Sequence, residues 1–234
     1  MSNIIDINLF EVRYKPNSKM LDYRGAWADA INSVMNYQHW RIDNNRIDVK
    51  DENGKHSAFV SFNNAGLSIK NAATKNYFPD HAIKFMKVLF ELEGFELEPY
   101  IERIGVRSRF CTKFDGDFKT LLDKYSSRFV ILTEPAKDIL KSKLLDIGSP
   151  LVLEDDIGKI NLMGGPMDTR QIKQFFEITD DDDITPPDVG LVFDIDYWNT
   201  PKSIMKENDL IESVKIYSNA CWAMHDKLKT LVLS

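Results

Sequence analysis

Two periods take turns along this chain. The segment "IIDINLFEVRYK" alternates as a strand does, with Ile5, Ile7 and Leu9 on one side. Phe10, Val12 and Tyr14 then occupy the opposite parity, which predicts a slip or bulge near the middle of the strand. From Leu21 the spacing turns helical: Leu21, Trp27, Ile31, Val34 and Met35 gather near one face, and Asp22 is an N-cap candidate. Residues 39–70 predict a β-meander, with turns at Asp43-Asn44-Asn45, Asn53-Gly54 and Asn63-Asn64-Ala65-Gly66. "FPDHAIKFMKVLFELEGF" opens with Pro79 and Asp80 in first-turn positions, carries Ile83, Met86, Leu89 and Phe90 at helical spacing, and stops at Gly94.

The next strand, "PYIERIGVRSRFCTKF", sends Glu102, Ile104, Val106, Ser108 and Phe110 one way and Arg103, Gly105, Arg107, Arg109 and Cys111 the other, so its second face is a ladder of arginines. A short helix capped at Asp115 or Asp117 follows. From about residue 133, Pro135, Gly148, Pro150, Gly158, Gly164, Gly165 and Pro166 favour short strands and turns. "MGGPMD" reads as a turn, the alternative being a backbone cradle for an anion ahead of a helix at "DTRQIKQFF". "VGLVFDIDYW" is a strand, and Leu210, Val214, Tyr217, Cys221, Met224, Leu228 and Leu231 mark a closing amphipathic helix that covers the sheet. The pattern is α+β: a mixed or antiparallel sheet flanked by helices. Strand, helix and meander, then a second strand-rich unit with its own closing helix, suggest two similar lobes at residues 1–132 and 133–234, or one continuous domain.

On the late strand Val192, Asp194, Asp196 and Trp198 share a face, with the carboxylates roughly 7 Å apart at the ~3.3 Å rise of a strand. That spacing allows joint ligation of a hard cation. "LVFDID" also resembles the nucleophile strand of haloacid-dehalogenase-like phosphatases, but those enzymes need a Lys and further acids well downstream, whereas the residues after Asp196 read mostly as one helix, and Tyr197-Trp198 stand where that family has Gly-Thr. The favoured reading is a structural polar network of Arg103, Arg107 and Arg109 with Asp194 and Asp196, because an Asp facing an Arg on a neighbouring strand is a favourable cross-strand pair. No metal and no cofactor is expected on this reading; the alternative keeps Asp194 and Asp196 as the metal pair of a divalent-metal-dependent phosphoryl- or glycosyl-transfer enzyme.

Composition narrows the classes. A chain of 234 residues with 43% hydrophobic content can bury a sizeable core. Its formal charge of −6 argues against nucleic acid as a partner through bulk electrostatics. Cys111 and Cys221 lack paired spacing and read as free thiols, which with the absence of a long apolar run leads to the expectation of a cytoplasmic protein away from membranes. His39, His56, His81 and His225 are scattered and are expected at the surface or in capping positions.

"RIGVRSRF", "VGLVFDIDYW" and "WAMHDKL" together resemble a family of uncharacterised bacterial proteins with an Arg-Ile-Gly-x-Arg strand, a late Asp-x-Asp strand and a C-terminal helix holding a Leu-His or Met-His pair. This chain departs from it at Ser108-Arg109, where an Asn is usual. The resemblance implies an α+β fold of bacterial or phage origin and carries over no catalytic residue.

No catalytic constellation stands out, so the expected function is a non-enzymatic protein-binding or accessory module, of the antitoxin, immunity or defence-system kind. The run "TDDDDITPPD" makes Asp180, Asp181, Asp182 and Asp183 candidates to dock a basic protein, with Tyr197 and Trp198 as an aromatic contact surface. A homodimer is also open.

Overall fold

Two long runs of β-branched and aromatic residues meet at the centre of the molecule. In the computed structural model, which describes residues 4–97, 101–130, 133–179, 182 and 184–234, they are β1 (Ile4–Tyr14) and β6 (Ile101–Lys113), paired antiparallel along nearly their whole length. Around them lies one antiparallel sheet of nine strands in the order β2-β3-β4-β5-β1-β6-β9-β8-β7. The meander supplies β2 (His39–Ile42), β3 (Arg46–Lys50), β4 (His56–Ser61) and β5 (Asn64–Lys70). The later chain supplies β7 (Leu151–Glu154), β8 (Lys159–Asp168) and β9 (Val189–Asn199).

The α+β class and antiparallel sheet agree with the sequence reading. The strand order is similar on either side of the β1–β6 pair. Outward from β1 lie β5, β4, β3 and β2, and outward from β6 lie β9, β8 and β7, so each side begins with a central strand that pairs with the last strand of that side. The sheet runs unbroken from β2 at one edge to β7 at the other.

One face of the sheet is covered by α1 (Met20–Met35), α2 (Tyr77–Glu91), α3 (Phe118–Phe129) and α6 (Glu207–Leu233). A seven-residue helix, α4 (Glu134–Leu140), stands where only turns and short strands were expected. The helical starts follow local chemistry. Asp117 accepts the Thr120 N–H at 2.8 Å to cap α3, and Asp168 and Gln171 form a reciprocal capping box on α5 (Thr169–Phe175). Helix α1 begins earlier than Asp22 suggested, with Lys19 in the cap position and Asp22 inside the first turn. It buries Met20, Trp27, Ala28, Ile31 and Met35 and leaves Leu21 (51%) and Val34 (42%) exposed. On α6, Leu231 is likewise exposed while Val232 is buried.

Three further readings are corrected. Strand β1 alternates without a break in its middle: Asp6, Asn8, Phe10, Val12 and Tyr14 all face the helices, and its pairing shifts only between Arg13 and Tyr14. The apparent slip arises because two core positions are polar. Asp6 accepts from the Asn8 side-chain amide and the Ala72 N–H, and Ser108 Oγ donates to Asn8 Oδ1 at 2.7 Å. "MGGPMD" is neither turn nor anion cradle but the end of β8, where Gly164 pairs with Phe193 and Gly165 with Val192. A Cβ at Gly164 would meet the Phe193 ring and the Val192 carbonyl. His225 is fully buried, stacked on Phe110 with ring centroids 4.4 Å apart and bonded through Nε2 to Thr112 Oγ1 at 3.0 Å.

Candidate functional site

The other face of the sheet is open over most of its extent. Among the described residues, α5, the segment after it and the 146–148 loop cover one corner, where Ile172, Phe176 and Ile178 are buried against Cys111 and Val192. Cross-strand pairing places the arginine ladder of β6 and the paired aspartates of β9 on this face.

The register sets Arg109 opposite Asp194 and Arg107 opposite Asp196; Arg109 keeps its facing partner, but the shorter ion pairs, Arg107–Asp194 and Arg103–Asp196, are offset from the register. Arg107 donates from Nε to Asp194 Oδ1 at 2.7 Å and from Nη2 to Oδ2 at 2.5 Å. Arg109 Nε lies 3.5 Å from the same Oδ2, and its Nη1 donates to the Phe175 carbonyl at 3.2 Å. Arg103 donates from Nη2 to Asp196 Oδ2 at 2.9 Å, and Asn161 Nδ2 donates to that oxygen at 3.0 Å. The bond to Asp194 raises the pKa of Arg107. The structure brings Arg103, Arg107, Arg109, Asp194 and Asp196 together in two adjoining clusters, Arg107–Asp194–Arg109 and Arg103–Asp196–Asn161.

Aromatic rings lie flat among these charges. The Arg103 guanidinium sits 4.7 Å from the centroid of the Trp198 ring and Lys159 Nζ 5.1 Å from it. Arg109 lies over Phe175 and Arg46 over Phe59. Gly105, directly across from Trp198, makes room for this layer, since a Cβ there would stand 3.0 Å from Trp198 Cβ and from the Tyr197 carbonyl. A hollow of about 80 Å³ opens over it between Leu9, Arg13, Arg103 and Arg107.

The charge of this face opposes that of the whole chain. The register places ten cations on it, Arg13, Arg41, Arg46, Lys50, Lys70, Arg103, Arg107, Arg109, Lys113 and Lys159, against five carboxylates, Glu11, Asp48, Glu154, Asp194 and Asp196. The strand positions of this face thus carry an excess of five in a chain whose formal total is −6, so all other residues carry −11, Asp146 and Asp182 at the covered corner among them. The sequence alone does not mark Arg13, Arg46, Lys159 and Glu11 as members of this face, because spacing within a strand does not say which strands share a sheet with the arginine ladder.

Asp194 is 4% exposed and both aspartates are engaged by guanidinium groups, so the pair behaves as ion-pair partners. A cation entering there would have to displace arginines and meet their charge. No group of three or more His, Cys, Asp or Glu among the described residues is arranged to hold a metal. Burial pushes the thiols of Cys111 and Cys221 up to about 12, far from a reactive thiolate.

No family model matches the chain, and no curated protein matches it. Among solved structures it is similar to Methanococcus jannaschii TBP, at 13% identity over 97% of this chain and 96% of that one, with a TM-score of 0.27. A likeness that slight carries no argument.

The remaining sequence candidates separate. Tyr197 is 3% exposed, its ring in the core under the helices and its hydroxyl donating to Asp155 at 3.1 Å. Trp198 alternates to the open face, so the two do not form one aromatic surface. Asp180, Asp181 and Asp183 lie outside the described residues. Asp182 turns inward on its own loop, accepting from Thr179 N at 2.7 Å and Thr179 Oγ1 at 2.9 Å, which lowers its pKa. No helix among the described residues is long and apolar enough to cross a membrane.

Proposed function

We propose that this protein is a non-enzymatic binding module, an accessory component of a bacterial or phage system, which docks an acidic protein surface on the open face of its sheet. The observation that carries the reading is the formal excess of five positive charges on that face of an acidic chain. Opposed potentials steer encounter and fix orientation at an interface. Arginine and tryptophan are the residue types that dominate binding energy at protein interfaces, and here they are held rigid by ion pairs and stacking before any partner arrives. Interspersed carboxylates favour a protein over a phosphate backbone: each phosphate contact needs an uncompensated cation, whereas a protein partner offers both charges and hydrogen-bond acceptors.

A fluorescent glutamate-rich peptide tests this directly. It is expected to bind with an affinity that falls as salt is raised, and Arg13→Glu with Lys159→Glu should weaken it by roughly tenfold or more, as two reversed charges on an interface do. Both side chains are exposed, so the fold should survive. Absence of binding to the peptide, or equal binding by the charge-reversed variant, would remove the proposal, and preferential binding of a DNA duplex would replace it with nucleic acid.

A further inference from the structure

Beside the arginine face, and on the same side of the sheet, lies a cleft of about 360 Å³. Its floor is the end of β8, where Gly165 turns bare backbone to this side; the loop at Asp146–Gly148 passes so close above that a Cβ at 165 would strike the Ile147 carbonyl. Its walls are apolar: Met163, Met167, Val192, Phe175 and Ile147. The polar groups at its rim are already paired with each other, Gln171 Nε2 donating to Asp146 Oδ2 at 2.8 Å and Asp146 Oδ1 accepting the Ile147 N–H at 2.7 Å. Asp146 keeps its negative charge at the rim but turns its oxygens to neutral donors there, and the lining below is apolar, which suits a compact hydrophobic group; the two methionines adapt to its shape.

The cleft and the arginine face are continuous. Met163, on the wall of the cleft, is the register partner of Asp194, and the Phe175 ring carries the Arg109 guanidinium 5.1 Å from its centroid. A segment lying across the face would meet cations along its length and an apolar socket at this end.

We infer that the cleft between β8, α5 and the 146–148 loop is an anchor pocket for one bulky apolar side chain, aromatic or branched, carried by the acidic partner segment that docks on the arginine face. The inference rests on the proposed docking of an acidic partner and adds to it the hydrophobic residue which that partner must present.

The test compares two glutamate-rich peptides that differ only in a single Phe or Ala, with the protein labelled at its methionine methyls. The Phe peptide should bind about tenfold more tightly, the effect of burying one aromatic side chain, and should shift the Met163 and Met167 resonances. Met167→Trp, which fills the cleft, should erase the difference between the peptides; Met163→Gln, at an exposed site, should shrink it and serves if the tryptophan variant does not fold. Equal binding of the two peptides would overturn the anchor pocket and leave docking on the arginine face intact. If neither peptide binds, the docking reading fails, and the cleft is judged alone with N-acetyl-phenylalanine amide: selective shifts of the two methionine methyls would sustain it, and their absence would overturn it.

Discussion

Arg107 grips Asp194 with two hydrogen bonds, at 2.7 and 2.5 Å, although the register of the sheet sets Asp196 opposite it. The diagonal choice leaves Asp194 held by Arg107 and Arg109 together and gives Asp196 to Arg103.

Since Asp194 is almost fully buried and Asp196 is not, removing the partner of the first should cost more. Arg107→Ala is expected to destabilise by about 1–3 kcal/mol, below the range for a fully buried pair because the arginine is itself 40% exposed. Arg103→Ala should cost less than that. Combined with Asp194→Asn, Arg107→Ala should show a coupling of at least ~0.5 kcal/mol in urea denaturation. Additive losses would mean that the two side chains do not share an interaction.

The metal alternative has its own measurement. With three arginines around Asp194 and Asp196, Mg²⁺ or Mn²⁺ should leave the Tm where an equal ionic strength of NaCl leaves it. A saturable rise in Tm, abolished by Asp194→Asn and Asp196→Asn, would restore the metal-dependent phosphoryl- or glycosyl-transfer reading.

Two buried titratable groups in the core oppose each other. Burial holds Asp6 up at about 6 from an ordinary 3.8, and burial, helped by the charge of Lys229, holds His225 down at about 4 from 6.5. A carboxyl whose folded pKa is raised takes up a proton on folding, so its contribution is present at pH 4 and is lost as the pH rises through 6. A buried neutral imidazole does the reverse, and its penalty at pH 4 disappears as the pH climbs to 6.5. Each shift corresponds to a few kcal/mol at ~1.4 kcal/mol per pKa unit. Relative to the wild type, Asp6→Asn should therefore gain stability from pH 4 to 6.5 and His225→Gln should lose it. Parallel profiles would show that neither group titrates as its burial implies.

Replacing Asp180, Asp181, Asp182 and Asp183 by Asn separates the two candidate surfaces. If the arginine face is the docking site, binding of a glutamate-rich peptide should be unchanged or faster, because like charges are removed. If the acidic run is the site, a lysine-rich peptide should bind the wild type and lose roughly an order of magnitude in on-rate on the variant.

Gly105→Val should loosen the stacked layer. Its Cβ meets Trp198 Cβ and the Tyr197 carbonyl at 3.0 Å, and relief requires β6 and β9 to part or the indole to move. A loss of about 1–3 kcal/mol is expected, as for overpacking elsewhere, with a change in tryptophan fluorescence. An unchanged Tm would show that the strands accommodate the branched side chain.

What the sequence determined by itself was local. Side chains alternate across a strand whatever lies beside it, so the shared face of Arg103, Arg107 and Arg109, and that of Asp194 and Asp196, followed from spacing alone. Helices α2 and α6 were legible because a 3.6-residue period needs no knowledge of neighbours. Tertiary structure decided everything that depends on which elements are adjacent. Placing β9 against β6 selected the diagonal ion pairs, and placing β1 on the other side of β6 brought Arg13 and Glu11 to the same face. The helices claimed one side of the sheet and so sent Tyr197 inward and Trp198 outward, and made Asp6 and Asn8 core residues where alternation alone suggested a slip. Composition yields only a sum over all faces. The sheet register separates that sum into a positive face and an acidic remainder, because a charge acts through its neighbours in space, and those are set by strand order.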